Sequence, residues 1–251
     1  MGIRRGSIST PIIADGLVFN MDAANRASCI PSSNTTQAFN TISPTDGYGN
    51  FINDTLYEAP PTSSRFTFDG VADYIEFPVI DNTIMHDQQL SILIWLKAKD
   101  TGTNWIIGNT NSSNNGVGIF LSATDILRFQ IGDTTNDSYF ESFVTSFSTY
   151  APLNTWNYIA GTFNGSEANI YINGILRNTW NNSTGATGTP PTDPMSQPYT
   201  ITGWSNFWVG RRNANTSDCL NGSIGNTQIY NRGLSSNEVL HNYNALKGRF
   251  S

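Results

Sequence analysis

The chain has 251 residues, of which 13% are charged and 12% aromatic, and its formal net charge at pH 7 is −6. This length fits a single β-sandwich domain, and the aromatic content excludes a disordered polyelectrolyte. The acidic balance argues against nucleic-acid binding, which requires Lys and Arg to neutralise phosphates. We find neither an apolar stretch of membrane-spanning length nor a signal-peptide pattern, so we expect synthesis in a cytoplasm without membrane insertion.

Residues 1–14 have the composition of an N-terminal arm, because they combine a basic pair with an apolar patch and lack the periodicity of a strand. A segment that cannot bury itself in its own domain tends to order on a partner, often as an added strand. We therefore predict that the arm lies extended on another subunit or another protein, and that the domain, residues 15–251, folds without it. The predicted partner-binding residues are Arg4, Arg5, Ile8, Ile12 and Ile13.

From residue 16 onward the chain has the pattern of many short strands. Residues 16–22 place Leu17, Phe19 and Met21 on one face, as in a half-buried strand. Residues 90–96 are almost continuously apolar, which predicts a central strand covered on both faces. Further strands are predicted within 51–57 and at 66–68, 74–77, 105–108, 117–121, 126–131, 156–163, 168–173, 175–180, 207–210 and 226–230.

Glycine-containing pairs mark the turns between these strands. Asp69-Gly70 has the composition of a bulge or a hairpin bend. Asn164-Gly165 and Asn173-Gly174 both predict type I′ hairpins, in which the two turn residues have positive φ. Residues 181–198 are rich in Gly, Thr and Pro and are predicted to form an exposed loop.

One helix is predicted, at residues 235–246. Ser235 can cap it, and Glu238 lies three residues later, as in a capping box. Short strands joined by turns and followed by one helix predict an all-β fold. We expect a two-sheet antiparallel jelly-roll sandwich with a short C-terminal helix.

Several segments together resemble the laminin-G-like jelly-roll family of the concanavalin A-like lectin/glucanase superfamily. Residues 220–238 are similar to the family's Gly-x-Ile, Ile-Tyr-Asn-Arg, x-Leu-Ser and Glu signature, and residues 68–75 resemble its early Phe-Asp-Gly-x-x-Asp-Tyr strand pair. The resemblance covers roughly residues 15–248 and implies the same sandwich. Its inner strands match residues 90–95, 156–163 and 170–174 in order.

A narrower resemblance concerns the two ends of the domain. Residues 15–25 and 242–250 look like stand-alone laminin-G-like proteins of tailed bacteriophages, notably marine ones. Such proteins are head decorations, fibres or tail-associated adhesins. The resemblance implies a non-enzymatic virion surface component that self-associates, contacts other virion proteins through its arm and meets host surface polysaccharide. The alternative is a carbohydrate-binding adhesin with a site at the sandwich rim, calcium-dependent or not.

The sequence predicts that the chain is not an enzyme. Glucanases of this fold carry a Glu-x-Asp-x-x-Glu strand that spaces two carboxylates for hydrolysis, and the chain has no such pattern. His86 and His241 have no zinc-site spacing with any cysteine. Cys29 and Cys219 are either two buried thiols or a bond between the terminal strands.

Three tryptophans beside loops, Trp105, Trp180 and Trp204, are the candidate ligand-binding residues. An exposed indole can stack on a sugar face while polar neighbours bind its hydroxyls. The equally good alternative is burial of each indole under its loop.

Calcium is the one cofactor for which the sequence offers ligands, although none is expected to be required. Hard cations prefer carboxylate, amide and carbonyl oxygens. Asp133, Asn136 and Asp137 cluster in one loop, and Asp218 lies near Asn221 in another. The alternative is that these loops are ordinary solubilising turns.

Overall fold

The fold is known from a computed structural model. It is the predicted all-β sandwich of two antiparallel sheets with one short C-terminal helix, which confirms the expected fold class. No helix in the part of the chain that the structure describes is long and apolar enough to cross a membrane. The described residues are 10–29, 35–42, 48–59, 63–77, 89–109, 116–132, 139–181, 207–212 and 218–250.

The first sheet has eight strands. From one edge to the other its strands are β14 (Ile175–Asn181), β13 (Glu167–Ile172), β12 (Asn157–Phe163), β7 (Leu90–Ala98), β16 (Asn221–Tyr230), β5 (Arg65–Asp69) and β4 (Leu56–Glu58), and β1 (Leu17–Asp22) also pairs with β16.

The second sheet also has eight strands. They follow the order β11 (Tyr139–Thr145), β10 (Ile126–Gly132), β9 (Gly116–Ser122), β8 (Asn104–Gly108), β15 (Phe207–Val209), β6 (Tyr74–Phe77), β3 (Tyr48–Ile52) and β2 (Gln37–Phe39). Of these, β2 and β11 were not predicted from the sequence. The helices are α1 (Phe147–Tyr150) and α2 (Ser236–Leu246), and a 3-10 turn spans Lys247–Arg249.

The main core lies between the sheets, and a second cluster lies outside the first sheet. Strand β7 contributes to both: Ile92 and Ile94 point into the main core, whereas Leu93 and Trp95 point outward. The prediction of a central strand covered on both faces is therefore confirmed. We call the second group the outer cluster; it contains Leu93, Trp95, Tyr158, Ala160, Tyr171, Tyr230, Leu234, Val239 and Phe250.

Strand β1 departs from simple alternation. Its pairing with β16 shifts register between Leu17 and Phe19, which is a β-bulge. Val18, Phe19 and Met21 consequently pack on the main core, while Leu17 packs on the outer cluster. The sequence placed Leu17 on the same face as Phe19, and the bulge makes that prediction wrong.

The two predicted type I′ turns differ. Asn173 and Gly174 have φ of 54° and 77°, which confirms the prediction for that hairpin. At the other, only Gly165 has positive φ, 96°. There the side-chain oxygen of Asn164 accepts two backbone N–H groups of the turn, at 3.0 and 2.8 Å, so the carboxamide holds a different turn.

Asp69 and Gly70 form a corner between the sheets rather than a hairpin bend, because β5 and β6 belong to different sheets. Asp73 is 2% exposed and accepts the backbone N–H groups of Asp54 and Asp69 at 2.9 and 3.1 Å. Burial raises the pKa of Asp73, and the charge of Asp69 acts in the same direction. These carboxylates hold the corner in place.

The last residues of the predicted arm pack on the chain's own helix. Asn242 of α2 accepts the backbone N–H of Ile13 at 2.8 Å, and the hydroxyl of Tyr230 donates to the carbonyl of Ile13 at 2.9 Å. Ile13 lies against the outer cluster, and Ile12 is half-buried. The predicted contact with a partner is therefore wrong for Ile13, since Asn242 of α2 and Tyr230 of β16 already bind its backbone. Residues Arg4, Arg5 and Ile8 lie outside the described residues.

Helix α2 begins as predicted, with a capping box between Ser235 and Glu238. Arg232 donates to Glu238 from both guanidinium ends, at 2.7 and 3.1 Å. The hydrogen bond from Arg232 lowers the pKa of Glu238 to about 2. The helix is thus anchored at its first turn, directly beside the residues that follow β16.

We expect Asn242→Ala to lower the free energy of unfolding by about 2 kcal/mol, because it leaves buried donors and acceptors of Ile13 and Tyr230 without their partner. Asn244 is an exposed residue of the same helix. Asn244→Ala should change stability by less than about 0.5 kcal/mol. Chemical denaturation of both variants measures the difference, and equal stabilities would contradict the docking of Ile13 on α2.

Candidate functional site

The outer faces of the two sheets differ. Helix α2 and the 3-10 turn cover the outer cluster on the first sheet. The outer face of the second sheet instead presents aromatic and polar side chains in register. This follows from alternation, since Trp208, Gly118 and Gln130 each lie between two residues of the main core.

One line of paired positions crosses the whole second sheet, and we call it the central row. Two glycines occupy its middle strands, a tryptophan follows on β15, and carboxylates stand near both ends. Its members are Gln37, Asn50, Glu76, Trp208, Gly108, Gly118, Gln130 and Glu141.

The two glycines of the central row make room for Trp105. A Cβ added at Gly118 would lie 2.3 Å from the Trp105 ring, and one at Gly108 would lie 2.9 Å from it. Phe120 stacks on the other side, with ring centroids 4.3 Å apart and planes 11° apart. Trp105 is 3% exposed, so it offers no face to a sugar. Its predicted role as an exposed indole is wrong for this reason.

Trp180 is also unavailable, because it is 3% exposed and packs in the main core. It pairs with Ala168 in the first sheet and points between the sheets. The alternative of burial therefore describes both tryptophans. Trp204 lies outside the described residues.

Trp208 is the half-buried indole of the central row, and sequence reasoning missed it. It pairs with Glu76 on one side and Gly108 on the other. Its neighbours Phe207 and Val209 are both buried in the main core. The alternation of this three-residue strand was the signal, since two inward neighbours force Trp208 outward.

Polar groups lie on the same face as this indole, and Glu76 is its direct neighbour. The guanidinium of Arg211 lies 4.5 Å from the ring centroid of Tyr74, the outward residue next to Glu76 on β6, but Arg211 is only 5% exposed. At the far end of the row, Arg128 contacts both oxygens of Glu141 at 2.6 Å. An indole beside a carboxylate can pack against the C–H face of a sugar while the carboxylate accepts hydrogen bonds from the sugar hydroxyls.

The calcium candidates separate into two groups. Asp218 lies 3.7 Å from Arg212, while Asn221 donates to Asp100 at 2.6 Å, so Asp218 and Asn221 do not converge on one site. No group of three or more His, Cys, Asp or Glu among the described residues is placed to hold a metal. The loop residues Asp133, Asn136 and Asp137 lie outside that set, and calcium binding there stays a prediction.

The cysteines are two buried thiols, which settles the alternative that the sequence left open. Burial raises the pKa of Cys29 to about 12 and also raises that of Cys219. A buried, protonated thiol is a poor nucleophile and a poor metal ligand.

Comparisons with known proteins agree on the fold. The family model described as the concanavalin A-like lectin/glucanases superfamily matches residues 69–240. No curated protein matches the sequence. Among solved structures, the chain is similar to domain 4 of a GH43 extracellular arabinanase from Geobacillus stearothermophilus, in complex with arabinotriose. The TM-score is 0.59 at 13% identity, covering 89% of this chain and 96% of that one.

The receptor-binding domains of botulinum neurotoxins are also similar. The binding domain of serotype DC in complex with SialylT has a TM-score of 0.60 at 16% identity, and covers 92% of this chain and 52% of that one. The same domain in complex with rat synaptotagmin II has a TM-score of 0.62 at 16% identity, with coverage of 93% and 52%. The chain thus spans about half the length of these toxin domains, and identities this low show the fold alone.

We expect Gly118→Ala to displace Trp105 and to lower the free energy of unfolding by about 1–3 kcal/mol, the usual cost of overpacking. Gly248→Ala is the control, since a Cβ there meets nothing within 4 Å. Denaturation followed by tryptophan fluorescence measures both effects. A Gly118→Ala protein with unchanged stability and emission would mean that Trp105 does not lie on the sheet.

Proposed function

Because the chain belongs to the concanavalin A-like lectin/glucanase superfamily, we propose that it is a non-catalytic carbohydrate-binding module. A sugar binds on the outer face of the second sheet, against Trp208. The observation that carries this proposal is the central row, which places a half-buried indole beside the carboxylate of Glu76, with side-chain-free Gly108 on its other side. The arabinanase domain that shares the fold is in complex with arabinotriose, and a toxin domain is in complex with SialylT, which supports a glycan as the ligand.

The spacing of the carboxylates supports binding rather than hydrolysis. Glycosidases place two carboxyl groups about 5–9.5 Å apart. Glu76 and Glu141 lie on β6 and β11, five strands apart in the sheet order, which corresponds to about 24 Å at the usual strand spacing. Arg128 also holds Glu141 in an ion pair. The two carboxylates of this row cannot act on one glycosidic bond.

The proposal predicts that Trp208→Ala lowers affinity for a glycan selected on an array about tenfold or more, as expected for truncation of a central tryptophan. Trp208→Phe should retain part of the affinity. Tyr150→Ala removes a 41% exposed aromatic residue that is not a member of the central row and should bind normally. Calorimetric titration and thermal melts of the three variants provide the test.

Two results would contradict the proposal. The first is full affinity in Trp208→Ala. The second is release of reducing sugars that a single Asp or Glu substitution abolishes, because this would make the chain an enzyme.

We also propose that the module acts on a virion surface, attached through the segment that contains Arg4, Arg5 and Ile8. In support, the two terminal segments that resemble phage proteins contact each other. Arg249 donates to both oxygens of Asp22, at 2.6 and 2.7 Å. The two segments that carry the resemblance, residues 15–25 and 242–250, are therefore in contact in the folded domain.

This placement predicts that antibodies against the domain label particles of a phage that encodes it. The triple variant Arg4→Ala, Arg5→Ala, Ile8→Asp should melt like the parent but fail to incorporate. Ile12 and Ile13 are left unchanged because Ile13 packs on the domain itself. Equal incorporation of parent and variant would assign attachment to the domain surface instead.

A further inference from the structure

The outer face of the first sheet holds a polar pocket of about 310 Å³ at the end that α2 leaves uncovered. This volume is at the lower end of the range for small-ligand sites and suits one ring-sized group. Seven side chains line it, from strands β4, β5, β7 and β16, from the residue that follows β7 and from the segment between α1 and β12. They are Glu58, Arg65, Thr67, Lys97, Lys99, Asn154 and Ser223.

Strand register brings these residues together. Ser223 pairs with Lys97 on one side and with Thr67 on the other, so the three lie in one row across β7, β16 and β5. The hydroxyls of Thr67 and Ser223 are 3.4 Å apart and form the floor. Glu58 pairs with Arg65 on the neighbouring strands and closes one side.

Asn154 closes another side in a constrained backbone conformation. Its φ is 58°, in the left-handed region, and its N–H donates to the carbonyl of Ala98 at 2.8 Å. Asparagine tolerates this region better than most residues. The carboxamide is thereby held at the pocket by a fixed backbone.

The pocket carries a surplus of positive charge. Its lining contains three cationic side chains and one carboxylate, a net charge of +2, in a chain whose net charge is −6. Glu58 forms an ion pair with Arg65 and accepts the hydroxyl of Thr67 at 2.9 Å, so its charge is already compensated. Lys97 and Lys99 form no ion pair with a carboxylate of the described residues.

The acidic residue next to Lys99 forms no ion pair with it. Asp100 accepts hydrogen bonds from Gly102, Asn104 and Asn221 at 2.6–2.9 Å, so its oxygens are held by amide donors. Its negative charge still interacts with Lys99 through space and offsets part of the positive charge beside the pocket. Asp100 therefore leaves the hydrogen-bond donors of both ammonium groups available for a ligand.

We infer that this pocket binds the carboxylate or sulfate group of a sugar-sized ligand. Lys97 and Lys99 bind the anionic group, while the Thr67 and Ser223 hydroxyls and the Asn154 carboxamide bind the hydroxyls of the ring. The inference is independent of the proposed function, because the pocket and Trp208 lie on opposite sheets. The ligand is either a free acidic monosaccharide or an acidic residue of a longer glycan.

Titration calorimetry with sodium glucuronate and with glucose tests the inference. The parent protein should bind glucuronate at least about tenfold more tightly than glucose, because only glucuronate has a charge-assisted contact to form. Lys97→Gln and Lys99→Gln should each lower glucuronate affinity about tenfold. Arg26→Gln removes one positive charge from an exposed residue outside the pocket and should have no effect.

Glu58→Gln should change glucuronate affinity in the opposite direction to the lysine variants. Damage to the fold would lower the affinity in every variant, so this substitution separates an electrostatic effect from misfolding. It releases Arg65 and raises the pocket charge, so glucuronate affinity should increase. Three results would each overturn the inference. They are a lower glucuronate affinity in Glu58→Gln, equal affinity of the parent for glucose and glucuronate, and no binding of any acidic sugar by the folded parent. Lysine-dependent binding of a neutral oligosaccharide that carries one glucuronate residue, but not of the monosaccharide, would support the pocket and identify a longer glycan as the source.

Discussion

Strand β16 is hydrogen-bonded on both sides, and most other features depend on this arrangement. One edge pairs with β7, whereas the other pairs with β5 over residues 221–224 and with β1 over residues 226–230. Gly225 lies at the changeover, and a Cβ there would be 2.3 Å from the Phe250 ring. The same strand places Ser223 in the pocket and Tyr230 beneath α2. A register error in β16 would therefore disturb the pocket and the terminal docking together.

The sequence predicts elements better than it predicts which face a residue occupies. Strand positions follow from alternation and glycine turns, and the capping box fixes the start of α2. The side of the sheet to which a residue points depends on β-bulges, and a bulge cannot be recognised without knowing the partner strand. Leu17 shows this, since one register shift moves it from the main core to the outer cluster. Asn164 shows the related limit for turns, because its side chain replaces the backbone geometry that the dipeptide predicts.

The candidate sites were less predictable because each combines residues that are distant in sequence. Trp105 lies beside a loop in sequence, yet the missing side chains of Gly108 and Gly118 leave room for its ring, which stacks on Phe120. The pocket joins residues from position 58 to position 223, and no local spacing links them. Trp208 is the exception, since its inward neighbours on a three-residue strand indicate its outward face.

The distribution of charge sets what the pocket can select. Arg65, Arg128, Arg212, Arg232 and Arg249 each form an ion pair with a carboxylate, whereas Lys97 and Lys99 form none with a carboxylate of the described residues. At physiological ionic strength charges more than about 8 Å away are largely screened, so the side chains that line the pocket dominate the potential inside it. The chain as a whole has a net charge of −6, so the further charges of an extended polyanion gain no attraction outside the pocket. A ligand with one anionic group and a neutral remainder places its whole charge next to the lysines. The pocket therefore distinguishes a singly charged sugar from a polyanionic chain.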